Sequence, residues 1–585
     1  MSTPSATAPS RRGLMRWSVA AAATAALVVS GSGLVVFAQS GAGESQGPQF
    51  APISSVAYVE ARLDLPAGQE EAVAQMLTAF PGFADPGSFD LKRDELLAML
   101  AAEMGASAPD GDLIGDVFTG ELGIALGDLE SAMMGAEPTL VAGLAVADAE
   151  AAGAMMEGLM AGSGESTTES SYNDVTIYTD TMSSPPMSLA MHDAWVLLGT
   201  GEGTVEGAID VLDGNAPGLA QNEAFVTAWS RLPTPRMGAA WMDLTSLTGF
   251  VELAGMMAEG ETGMALPMGD LAGLLPKDMV ASLVADTDRV TLDVMVTPGD
   301  DMPAEVLGVS LLSLAFPSDT QVYLETRELG ASIETGLNSL AAILAEQEMM
   351  AADDPMDPSD PMAMFMDPEA LFGEESPFTD MLGAPLPELL DFVADASFGA
   401  GLSSDGLWVG MAGEISDKAA ADERVSNILG LISFFAAMDE TGEIVVATEM
   451  VDDVEVTNIT LPIDAMLAEE GVPLSLGDTI SVAVTDDILL LGLGDFVQSA
   501  ILSDGTDSLG TSSGFLDALA GDTPNAGVMY MNISSLLDVL DPMLSMMAPE
   551  WSEIAPYAAG IDRMIVVPNA DDEVVSARMT VIVGQ

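Results

Sequence analysis

Short stretches in which apolar and polar residues alternate recur along this chain, with Gly- and Asp-bearing turns between them. Val56-Ala57-Tyr58-Val59-Glu60-Ala61-Arg62 is the first, and Gln321-Val322-Tyr323-Leu324-Glu325-Thr326-Arg327 repeats its pattern. Period-two alternation predicts a strand in each. Helical periodicity follows both, from near Pro66 and from near Gly330, and returns at 147–161, 202–213, 417–437 and 495–503.

Further segments match in the same order. Gly123-Ile124-Ala125-Leu126 aligns with Gly399-Ala400-Gly401-Leu402, and Ala190 to Gly199 aligns with Ala483 to Gly492. Trp241-Met242-Asp243-Leu244 meets Tyr530-Met531-Asn532-Ile533, and Asp288-Arg289-Val290 meets Asp562-Arg563-Met564. Ordered self-similarity at this spacing predicts a duplication. The expected fold is α+β, with two tandem halves at 51–316 and 317–585, each an antiparallel β-sheet carrying amphipathic helices on one face.

The N-terminus reads as an address. Arg11, Arg12 and Arg16 precede an Ala/Val/Leu run over 17–38, and Val36-Phe37-Ala38 offers small residues to a signal peptidase. Residues 1–38 are therefore expected to be a signal peptide or a retained membrane anchor, and Ser10-Arg11-Arg12 fits the twin-arginine export route. Either outcome puts the remaining chain outside the cytoplasm. Residues 39–50, rich in Gly, Ser and Gln, read as a flexible spacer.

Composition narrows the function classes. The 585 residues hold 91 acidic and 15 basic side chains, a formal net charge of −76. Nucleic-acid binding needs clustered Lys and Arg to release counterions, so that class is excluded, and the membrane is expected to be met only through the N-terminal segment. Hydrophobic residues make up 49%, enough to build cores. Cysteine is absent and His192 is the one histidine, which removes disulfides, thiolate chemistry and His-rich metal sites.

Val56-Ala57-Tyr58-Val59-Glu60, then Gly68-Gln69, then Phe80-Pro81-Gly82, resembles the opening of an exported bacterial family known as domain of unknown function 3352. The likeness is expected to extend over 50–585. It implies an N-terminally targeted or anchored envelope protein and carries over no catalytic residue and no cofactor.

Candidate chemistry is sparse. Gly510-Thr511-Ser512-Ser513-Gly514 has the spacing of a serine-hydrolase elbow, yet no strand precedes it and the histidine lies upstream, so a helix-capping loop is expected. His192-Asp193 reads as a water-facing hairpin turn. The stretch 349–376 is rich in Met, Asp and Pro and reads as a loop. Its Met356, Met362, Met364 and Met366 are soft ligands suited to copper, and its Asp353, Asp354, Asp357 and Asp360 are oxygen ligands suited to calcium. The first reading is thus a non-enzymatic scaffold or binding protein for a protein, an envelope polymer or a lipid-like ligand. The alternatives are a copper- or calcium-binding envelope protein using that loop, and a carboxylate-dependent hydrolase.

Overall fold

The computed structural model describes residues 48–327 and 392–584, leaving out within these 84–116, 128–138, 246–275, 300–311, 466–476 and some shorter stretches. The N-terminal address and the Met- and Asp-rich loop lie outside the described residues.

Two compact units result: Met1–Ala304 with Asp571–Arg578 and Val583–Gln585, and Glu305–Ala570 with Met579–Ile582. Strands of the first are β1 Ala57–Arg62, β2 Phe118–Leu126, β3 Leu140–Val146, β4 Thr167–Tyr172, β5 Val175–Asp180, β6 Met187–His192, β7 Trp195–Thr200, β8 Gly238–Asp243, β9 Asp278–Ala285 and β10 Arg289–Thr297. They pair antiparallel in the order β4-β5-β6-β7-β3-β2-β1-β8-β9-β10. Its helices are α1 Gln69–Leu77, α2 Ala149–Ser163, α3 Thr204–Leu212 and α4 Glu223–Trp229.

Strands of the second unit are β11 Thr320–Thr326, β12 Val393–Ser403, β13 Gly406–Ile415, β14 Val445–Val451, β15 Val454–Thr460, β16 Thr479–Val484, β17 Ile488–Leu493, β18 Val528–Asn532 and β19 Ile561–Ala570. Their antiparallel order is β14-β15-β16-β17-β13-β12-β11-β18-β19. Adding ten to each strand number turns the first order, up to β9, into the second. Helices here are α5 Lys418–Met438, α6 Phe496–Leu502, α7 Ser513–Leu519, α8 Ile533–Met547 and α9 Trp551–Ala558. The last strand, β20 Val575–Val583, divides between the units. The chain is therefore α+β and its sheet pairing is antiparallel.

Register tests the sequence matches residue by residue. Tyr58 faces Ala125 and Trp241, while Tyr323 faces Gly399 and Tyr530. Trp241 and Tyr530 thus occupy equivalent places. Gly399 answers to Ala125, not to the Gly123 with which the pattern aligned it; a slip of two residues keeps every side chain on its face, so alternation cannot detect it. Asp288-Arg289 opens β10 whereas Asp562-Arg563 opens β19, the counterpart of β9, so that match is a strand out of place.

Helices cover both faces of each sheet, which corrects the expectation of one covered face. In the first unit α3 and α4 pack with Tyr58, Trp195 and Trp241. Ala152 of α2 packs with Val146, Leu144 and Val196, which alternate with inward residues of the same strands. In the second unit Ala421 of α5 similarly meets Ile415 and Leu489, opposite the core around Tyr323 and Trp408. Runs such as Ile488-Leu489-Leu490-Leu491 carried this signal, because a strand buried on both sides loses its alternation.

Aromatic rings lie directly over strand glycines. A Cβ at Gly410 would sit 2.3 Å from the Phe496 ring, and one at Gly143 would sit 2.4 Å from Phe50. Phe496 in turn stacks on Trp408 at 5.4 Å, and Phe50 meets Trp195 at 5.1 Å. Close ring-to-backbone packing is what these glycines permit. Gly410→Ala is expected to destabilise by about 1–3 kcal/mol through overpacking. By contrast Gly207→Ala, in α3 with nothing within 4 Å of the new methyl, should stabilise by about 0.5–1 kcal/mol. Urea midpoints of the two variants check this; equal midpoints would contradict it.

Candidate functional site

Strand alternation puts Tyr58, Glu60 and Arg62 on one face of β1, and all three are buried. β1 lies inside the sheet, so neighbours on both sides complete the face. Ala125, Gly123 and Glu121 of β2 stand opposite these three residues in turn. On the other side Trp241 of β8 faces Tyr58, and Ala239 faces Glu60. The row continues through Ser282 of β9 to Asp293 of β10, whose carboxylate accepts from Arg578 Nε at 2.6 Å. An aromatic row therefore runs beside a polar row on the same buried face.

α4 and the turn before β8 close over this place. Asn222 caps α4 by accepting from the Phe225 amide, which fixes Phe225 and Trp229 above the sheet. Phe225 stacks on Trp229 at 4.9 Å and meets Trp241 edge-on at 5.3 Å, and Tyr58 lies 5.6 Å from Trp229. The Arg236 guanidinium sits 4.9 Å over the Trp229 ring. Burial, helped by the charges of Glu60 and Glu121, pushes the Tyr58 phenol well up, against a smaller opposite effect of Arg236. Burial also lowers Arg236, opposed by Glu60. Two acids, Glu60 and Glu121, thus stand against two arginines, Arg62 and Arg236.

Tyr58 OH, Trp241 Nε1, Ser282 Oγ and Arg236 Nε are among the polar atoms of this cluster with no hydrogen-bond partner among the described residues. Leaving a buried donor unmade costs about 1–3 kcal/mol. Such a concentration in one place asks for an oxygen to accept from it.

The equivalent place in the second unit pairs its tyrosine internally. Tyr323 OH donates to Glu325 Oε2 at 2.7 Å, and Arg327 bridges Glu325, at 3.5 Å, to Asp395. Ser397, buried, stands where the first unit has Gly123. Val528 faces Glu325 where Ala239 faces Glu60. Burial, then the Glu325 charge and hydrogen bond, raise the Tyr323 phenol, while Ser397 works the other way.

The residues singled out from sequence fall elsewhere. His192 ends β6 beside a turn whose Asp193 has φ 50°. Its Nε2 lies 2.8 Å from Asp213 Oδ1 and its side chain is mostly covered, so it is tied to the end of α3 instead of facing water. Ser512 caps α7 by accepting from the Phe515 amide, with a 3-10 turn before it in place of a strand. Met356, Met362, Met364, Met366, Asp353, Asp354, Asp357 and Asp360 lie outside the described residues. Among the described residues no group of three or more His, Cys, Asp or Glu is placed to hold a metal.

Sequence reading quoted the Tyr-x-Glu-x-Arg strands as a repeat and missed them as chemistry. The signal was their phase: in both copies the charges share the tyrosine's face.

Residues 119–281, from β2 into β9, match the family described as "Protein of unknown function (DUF3352)". The family likeness read from sequence thus holds over that segment, and the family is uncharacterised. No curated protein matches the chain. Among solved structures, crystal form III of TP0453 is similar at 10% identity, with 46% of this chain and 88% of that chain covered and a TM-score of 0.24. Crystal form I of TP0453 is similar at 9% identity, covering 44% and 81%, also with a TM-score of 0.24. Scores this low carry no argument.

Two outcomes follow from the paired tyrosine clusters. Arg327→Ala removes the guanidinium from the buried Glu325 and the partly buried Asp395 and should cost about 3–5 kcal/mol in urea unfolding. Raised tyrosine pKa values mean stability that is full below the unfolded value of about 10 and lost as pH climbs above it. The Tyr58→Phe, Tyr323→Phe double variant should therefore lose less stability than the parent between about pH 9.5 and 11.5. Identical alkaline melting curves for the two proteins would count against it.

Proposed function

We propose that this chain is a non-enzymatic binding protein of the bacterial cell envelope, built by duplication of one α+β unit, whose first unit holds a ligand beside Tyr58. Shared strand order and the shared Tyr-x-Glu-x-Arg strand support the duplication. The signal-like N-terminus supports export. Ligand binding rests on one observation: Tyr58 OH, Trp241 Nε1, Ser282 Oγ and Arg236 Nε gather in one buried place without a protein partner, whereas in the second unit the Tyr323 hydroxyl is paired with Glu325.

The chemistry of those atoms selects the ligand. Trp241 Nε1 and Arg236 Nε only donate, and Tyr58 and Ser282 hydroxyls do either. The surrounding charges balance, so a net ionic ligand gains nothing. Aromatic faces at Phe225 and Trp229 add an apolar wall. A neutral group rich in hydroxyl or carbonyl oxygens fits best, as an envelope polysaccharide presents.

Titration of the intact chain with soluble saccharide fragments of the envelope tests this through tryptophan fluorescence. Binding that weakens at least about tenfold in Trp241→Phe, roughly the loss of one good hydrogen bond, is expected. Native mass spectrometry of the protein drawn from its own envelope should show the same adduct. Absence of any fluorescence change and of any adduct sinks the reading.

A further inference from the structure

Independently of that ligand site, we infer that β14 is an association edge whose occupant is β14 of a second copy of this chain. β14 has one strand partner among the described residues, β15, so its other side presents ladder groups to an incoming strand. β4 holds the same place in the first unit. Each strand leads into a two-residue turn with both residues left-handed, Asn173-Asp174 after β4 and Asp452-Asp453 after β14.

The two edges differ in side chains. β4 reads Thr-Thr-Glu-Ser-Ser-Tyr, a polar edge of the kind that discourages pairing. β14 reads Val-Val-Ala-Thr-Glu-Met-Val, with Val445 50% and Met450 63% exposed. Five of its seven residues are apolar, and they remain at the margin of the sheet.

Its sequence is complementary to itself. In an antiparallel pair centred on Thr448, Val445 faces Val451, Val446 faces Met450, Ala447 faces Glu449 and Thr448 faces Thr448. Apolar residues meet apolar residues, and Glu449 never opposes its own copy. A two-fold axis at Thr448 follows, the symmetry that closes a dimer. Two opposing terms set its strength. Seven paired residues a side make an interface below the standard size, so the dimer is weak. A net charge of −76 on each copy opposes approach until salt shortens the screening length, from about 30 Å at 0.01 M to about 3 Å at 1 M.

Sedimentation of the intact chain from about 1 to about 200 µM should show a monomer passing to a dimer, at lower concentration in 0.5 M than in 0.05 M NaCl. Met450→Lys should abolish the dimer while the melting temperature stays unchanged. Since the chain has no cysteine, Thr448→Cys reports the register directly. Opposed Cα atoms about 4.5–5.5 Å apart lie within disulfide reach. Under mild oxidation Thr448→Cys should form a covalent dimer, and Thr168→Cys on β4 should not. A chain that stays monomeric throughout, or one in which Thr448→Cys crosslinks no faster than Thr168→Cys, overturns the inference and leaves the edge to a foreign strand or to none.

Discussion

Charge burial in the middle of a sheet is the constraint on which each unit depends. Glu60 with Arg62, and Glu325 with Arg327, face inward from a strand that has neighbours on both sides. An ion there is tolerated only when partners replace its water. Each unit supplies an acid across the strand pair, Glu121 or Asp395. Once those partners are fixed the register of β1 against β2, or β11 against β12, is fixed too, because a shift by one residue would turn the charges onto the other face. The aromatic packing around Tyr58 and Tyr323 then has a single arrangement available.

Much of this frame was legible in the chain. Strands around Tyr58, Tyr323, Trp241 and Tyr530 and helices near 147–161, 202–213, 417–437 and 495–503 lie within a few residues of where the periodicity put them. Two matters were not. The covering of both sheet faces was missed although Ile488-Leu489-Leu490-Leu491 signalled it, because a short apolar run without a period reads equally as strand or helix. The alignment of Gly399 was two residues off because glycine, alanine and short apolar residues repeat along these strands.

The candidate site was harder to see for a different reason. Its members come from β1, β2, β8, β9 and the turn holding Arg236, and only Tyr58, Glu60 and Arg62 are close in sequence. With 91 acids in the chain, no single Glu stands out. What separates Glu60 from the others is burial, a property of the folded sheet. Trp241 and Ser282 are core residues; the missing partners of their polar atoms emerge only when every neighbour is known.

The two units suggest how a repeated frame divides its work. The two units share a strand order, and each sets a buried network on the same central strand. In the second unit Ser397, Arg327 and Asp395 complete that network, and Val528 keeps its neighbour apolar. In the first unit Gly123 stands in place of the serine and Ser282 and Asp293 extend the polar row. In the second arrangement the tyrosine hydroxyl is paired within the protein, whereas Tyr58 OH has no hydrogen-bond partner among the described residues. The edges divide in the opposite sense, with the first unit polar and the second apolar. The two units thus differ where the fold itself demands least: at the far end of a buried row and at the margin of a sheet.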